Sequence, residues 1–176
     1  MRHCFSLLVL ALLAACASAP AERAATQSSP PAQRAPLATT GTARLAIANL
    51  AAASGTLVSG RVELRPAVGG VRITGVIGGL SRNGAHGLQV HARGDCSAVD
   101  ASSAGDYFDA GERGDGSGGR TVANADGVAS VDLLVPGAVL GGGARNDIDG
   151  RALLVLGATA GATSARIACG IITAQP

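Results

Sequence analysis

Two histidines, His86 and His91, lie in the stretch HGLQVHARGDCS, which runs from His86 to Ser97. Imidazole ligates copper and zinc and carries protons near neutral pH, so these side chains are the first candidates for chemistry. The third histidine, His3, stands in a segment expected to be removed, and any site that needs several imidazoles is thereby excluded. Carboxylates recur every third position at Asp106, Asp109, Glu112 and Asp115, with Tyr107 among them. Such oxygen donors suit hard cations such as Ca²⁺, but the spacing matches no calcium loop, and acidic residues in a glycine-rich loop are ordinarily just solvated. Nucleophilic catalysis finds no support, because the two histidines share one short strand and the cysteines have other uses. Gly141-Gly142-Gly143 is followed by Ala144-Arg145-Asn146 and lacks the lysine and hydroxyl of a phosphate-binding loop.

Composition narrows the function classes further. All 14 basic residues are arginines, and against 12 acids they leave a net charge of +2. No basic field for nucleic acid exists, and one Tyr, two Phe and no Trp give no stacking platform for single strands. A chain that is 47% hydrophobic but 2% aromatic must build its core from Ala, Val, Leu and Ile.

The elements that would position these residues are short strands. Apolar residues alternate with small or polar ones over 43–50, 56–64, 71–77, 86–91, 128–135, 151–156 and 167–173, and glycine-rich turns separate most of these runs. Seven or eight strands at this spacing predict an antiparallel sandwich or barrel, all in one domain from residue 41 to 176. Gly94 to Arg120 has little apolar periodicity and reads as a long loop, a feature that is usually functional or the remains of something functional.

The N-terminal part has a different character. Arg2 followed by the apolar run Phe5 to Leu13 reads as a signal peptide over 1–15, too short to span a bilayer. Leu13-Ala14-Ala15-Cys16 resembles the lipobox of bacterial lipoproteins, which implies an acylated Cys16 as the first mature residue. With Ala17 next, that resemblance places the protein on the outer membrane facing the periplasm. Residues 16–40, rich in Ala, Pro, Ser and Thr, read as a disordered tether. Cys4 leaves with the signal and Cys16 carries lipid, so Cys96 and Cys169 remain and are expected to pair in a compartment where disulfides persist. The closed loop would contribute roughly 4 kcal/mol in the chain-entropy model.

HGLQVHARGDCS resembles the copper-binding strand and following turn of the copper/zinc superoxide dismutases, which read His-Gly-Phe-His-Val-His and then Gly-Asp-Cys. SAGDYFDA from Ser103, NADGVA from Asn124, DGRALLVL from Asp149 and ARIACGII from Ala165 resemble further family motifs in the right order. The resemblance covers most of residues 41 to 176 and implies an eight-stranded Greek-key β-barrel with Cys96 and Cys169 as the family's disulfide.

Carried over position by position, the resemblance places the first copper histidine on Gln89 and keeps the second as His91. It places the metal-bridging histidine on Tyr107, the last copper histidine on Leu156 and the zinc aspartate near Ser117. His86 matches a supporting histidine, and Arg166 matches the arginine that draws superoxide toward copper. One imidazole cannot hold a copper ion that cycles between oxidation states, and no histidine follows His91 to bind zinc. A hydrogen-bonded strand histidine is therefore the expectation for His91, and a partly exposed arginine for Arg166. No cofactor is expected. The functional expectation is a non-catalytic family member serving as a binding or structural module on the envelope, with the membrane as its one identifiable partner. The alternative is a superoxide dismutase with a rearranged copper site that uses His91, His86 and carboxylates.

Overall fold

Alternation of apolar residues produces eight strands, and the computed structural model describes them through residues 35–110, 117–158 and 165–176. They are β1 (Ala46–Ala52), β2 (Ser59–Ala67), β3 (Gly70–Gly78), β4 (Ala85–His91), β5 (Ser117–Val122), β6 (Ala129–Pro136), β7 (Ala152–Leu156) and β8 (Arg166–Ala174). One turn of 3-10 helix, Ser102–Ala104, interrupts the loop between β4 and β5. The proposed signal, Cys16, the tether up to residue 34, Glu112 and Asp115 lie outside the described residues.

All strand pairs are antiparallel, in the order β5-β4-β7-β8-β1-β2-β3-β6. The two end strands, β5 and β6, are joined by a hairpin and pack together, so the barrel is nearly closed; the Thr121 hydroxyl donates to the Ser130 carbonyl across the seam at 3.2 Å. Pairing of β3 with β6 and of β4 with β7 gives the Greek-key connectivity expected from the resemblance.

Leu64, Ile73, Ile77, Leu88, Leu153 and Ile172 fill the interior with aliphatic side chains, as the composition requires. Outside the barrel, Ala53, Ala101, Ala104, Ala152, Leu154 and Cys169 form a second, smaller apolar cluster. This cluster explains why β7 reads Ala-Leu-Leu-Val-Leu without alternation. Leu153 and Val155 belong to the interior, while Ala152 and Leu154 lie under the loop that follows β4.

One sequence expectation needs correction. Gly94 to Arg120 is not all loop, because β5 begins at Ser117 and pairs with β4 from Ala85 to Gln89. Its glycines hid it. A Cβ at Gly118 would lie 3.5 Å from the Ile73 side chain, and one at Gly119 would lie 3.3 Å from Leu133. Neighbouring strands fill the space that β5 leaves, so β5 carries no apolar alternation to be read.

Candidate functional site

Strand geometry sorts the residues of β4 onto two faces. His86, Leu88 and Val90 share one face, and Gln89 and His91 share the other, which is the outer face of the barrel. His86 and His91, five residues apart, therefore point to opposite sides of the strand and cannot meet at one ion. On the outer face, Leu154 stands opposite Gln89 and Ala152 opposite His91. A Cβ on Gly87 would lie 3.5 Å from the Leu156 side chain, which places Leu156 beside the same row. Ser117 pairs with Gln89 across a bulge. The returning loop brings Tyr107 into an isolated bridge with His91, their rings 5.2 Å apart and inclined at 48°. Gln89, His91 and Leu156 thus lie on one face of the sheet, with Tyr107 bridged to His91 and Ser117 paired with Gln89 in the backbone.

His91 is only 2% exposed. Its Nδ1 lies 2.8 Å from the Gly105 carbonyl, so that nitrogen carries the proton and donates. Burial pushes the pKa of His91 below its ordinary value, opposed by the Gly105 hydrogen bond; Arg166 adds to the lowering, and Asp106 counters it. The ring is neutral at neutral pH. Its Nε2 is buried with no hydrogen-bond partner among the described residues, as are Gln89 Oε1 and His86 Nε2. His86 Nδ1 lies 2.9 Å from the Leu156 carbonyl and ties β4 to the end of β7.

The side chains at these positions do not fit the copper and zinc of the resemblance. Two buried acceptors, one imidazole nitrogen and one amide oxygen, point from the outer face of β4. The Tyr107 ring lies tilted against the imidazole, and Leu156 adds an apolar side chain beside Gly87. Among the described residues no group of three or more His, Cys, Asp or Glu could hold a metal ion. Copper and zinc sites need at least three such donors. Asp106 and Asp109 are exposed on the loop and build no such group either.

Arg166 opens β8 and is half-buried. Its Nη1 donates to the Ala101 carbonyl at 2.8 Å and its Nη2 to the Gly105 carbonyl at 2.9 Å. Both terminal nitrogens are thus used in pinning the loop to the barrel. The Cys96–Cys169 disulfide pins the same loop, with 5.8 Å between the Cα atoms. A third anchor was missed in the sequence. The Arg151 guanidinium lies 3.5 Å over the Phe108 ring and donates from Nε to the Asp147 carbonyl at 2.7 Å and from Nη1 to the Ala92 carbonyl at 2.8 Å. Its position inside the motif DGRALLVL was the available signal. Gly94 marks the base of the loop, where a Cβ would fall 1.9 Å from the Gly150 carbonyl oxygen and only glycine fits.

Residues 58–172 match the family model described as copper/zinc superoxide dismutase (SODC). No curated protein matches the sequence. The matched span, the eight antiparallel strands and the disulfide agree with one another, and the chain belongs to the copper/zinc superoxide dismutase family.

Proposed function

We propose that this protein is a non-catalytic member of its family, a binding or structural module held on the bacterial envelope by a lipid on Cys16. In this reading residues 1–15 are a signal peptide, residues 16–40 a tether, and the barrel faces the periplasm from the outer membrane. One observation carries the loss of activity: at the family's copper positions His91 is the single imidazole, with Gln89, Tyr107 and Leu156 in place of the others. Redox cycling of copper needs several nitrogen donors in an open site, and this set supplies one. The rival, a rearranged copper site using His91, His86 and carboxylates, would need two imidazoles on opposite faces of β4 to converge. No cofactor is part of the reading.

The test is metal analysis of the protein purified with added copper, together with a superoxide assay. The expected result is substoichiometric metal and no activity above that of free copper. Stoichiometric copper with activity abolished in His91→Ala would overturn the proposal. For the anchor, Cys16→Ser is expected to move the protein into the salt-washed soluble fraction while the domain stays folded, since the substitution lies well ahead of Pro36 and Ala38, which bond to the barrel.

A further inference from the structure

The hairpin between β2 and β3 ends in Pro66-Ala67-Val68-Gly69, and Val68 is fully exposed. Gly137 N–H donates to the Gly69 carbonyl at 2.8 Å, which brings the uncharged pair Pro136-Gly137 against the tip. The start of the described chain reaches the same end of the barrel. Arg145 N–H donates to the Pro36 carbonyl, and the Asn146 amide donates to the carbonyls of Ala38 and Gly137. Leu37, between these anchors, is 45% exposed. The result is an end of the molecule whose tip bears apolar side chains and no charge.

Arginines rim it. Arg44, Arg65, Arg72 and Arg145 are all exposed. Arg65 pairs with Glu63 and Arg72 with Asp132, whereas the side chains of Arg44 and Arg145 have no hydrogen-bond or ion-pair partner among the described residues. Between rim and tip is a concavity of about 370 Å³, lined by glycine-rich backbone with Thr39, Thr40 and Arg44. Guanidinium groups form forked hydrogen bonds with phosphate, and an uncharged tip ringed by arginine is the pattern of a surface that sits in the headgroup region of a bilayer.

We propose that this end of the barrel docks on an anionic phospholipid bilayer, with Val68 in the interface and Arg44 and Arg145 on lipid phosphates. The described chain begins at this same end, so a domain tethered through its N-terminal side presents this face to the membrane at little cost in linker extension. A second copy of the chain is a poorer occupant, because a two-fold contact would set the arginine rim against itself. The proposal takes only the nearness of a bilayer from the envelope reading and does not depend on the metal positions.

The chain contains no tryptophan, so a single introduced one reports its own surroundings. The full chain carrying Cys16→Ser and Val68→Trp is mixed with phosphatidylglycerol/phosphatidylcholine vesicles that contain a brominated lipid. Leu57→Trp, at an 87% exposed site in the β1–β2 connection at the opposite end of the barrel, is the control. Emission from Val68→Trp should shift to the blue and be quenched, with no response in pure phosphatidylcholine or in molar salt and none from Leu57→Trp. Arg44→Ala with Arg145→Ala should weaken vesicle affinity at least roughly tenfold. An equal response from both reporters would assign binding to the N-terminal segment and overturn the proposal. Unchanged affinity in the double arginine variant would overturn it as well, and so would a blue shift on concentrating the protein without vesicles. If inorganic phosphate stabilises the protein through Arg44 while vesicles give no shift, the site takes free phosphate and the bilayer proposal fails.

Discussion

His91 and Arg166 hold the same atom: His91 Nδ1 and Arg166 Nη2 lie 2.8 and 2.9 Å from the carbonyl oxygen of Gly105. Residues from β4 and β8 thus grip one point of the loop, and both lone pairs of that oxygen are used.

Replacing Arg166 by Ala removes two charge-assisted hydrogen bonds, to Ala101 and Gly105, and frees the loop at its middle. The expected loss is about 2 kcal/mol in urea-induced unfolding. Cleavage by a nonspecific protease should become faster between Gly94 and Ala110. An unchanged cleavage rate would mean that the disulfide and Arg151 hold the loop without it.

Stability should fall on mild acidification. The pKa of His91 lies below its unfolded value, so the neutral ring is the form that the fold favours. Its contribution is fully present above the unfolded pKa of about 6.5 and is lost as the pH falls toward the folded value, at up to ~1.4 kcal/mol per pH unit while only the unfolded chain is protonated. Unfolding midpoints measured from pH 7 down to pH 5, above most carboxylate titration, should decline in the parent protein. The decline should flatten in His91→Gln, whose amide can still donate to Gly105. A parallel decline in both proteins would assign the effect to other groups.

Replacing both Cys96 and Cys169 by Ala should lower stability by ~2 to 4 kcal/mol, the chain-entropy contribution of the closed loop. The loss should be seen in thermal melts and in faster proteolysis of the segment after Gly94. An aliphatic core has few large contacts to offset it. Metal content should not change. Two free thiols in the denatured, unreduced mature protein would contradict the pairing.

Because Gln89 shares the face of β4 with His91, Tyr107 bridges to His91 and Leu156 lies beside Gly87 on the same face, the triple variant Gln89→His, Tyr107→His, Leu156→His should take up one equivalent of Cu²⁺, more than the parent. Copper titration followed by its visible absorption band checks this. Failure of a folded triple variant to bind copper would show that the loop backbone, as well as its side chains, has drifted from a metal-holding geometry.

Most of the barrel was legible because its strands bury aliphatic residues on one face, and that alternation survives in β1, β2, β3 and β6. β5 was not legible. Gly118 and Gly119 leave their space to Ile73, Leu133 and Val135, so the strand is specified by its neighbours rather than by its own sequence. At the site, motif order alone singled out Gln89, His91, Tyr107 and Leu156. The double use of the Gly105 carbonyl could not be read, because a backbone oxygen leaves no mark in a sequence. Nor could the tilted contact of Tyr107 with His91, which depends on where a loop of irregular backbone returns. The opposite facing of His86 and His91 was open to reading from their odd spacing in a strand, and was missed there.

β1 lies between β2 and β8, and Ala46, near the start of the fold, pairs with Ala174 near its end. While the chain is being made, β1, β2 and β3 can assemble as a local meander, but β1 keeps an open edge until β8 has been synthesised. Ladder partners this far apart form slowly, since loop closure must precede the contacts that reward it. Closure of the barrel therefore waits for its last strand, and until then the exposed edge of β1 is a segment of the nascent chain open to pairing with another molecule.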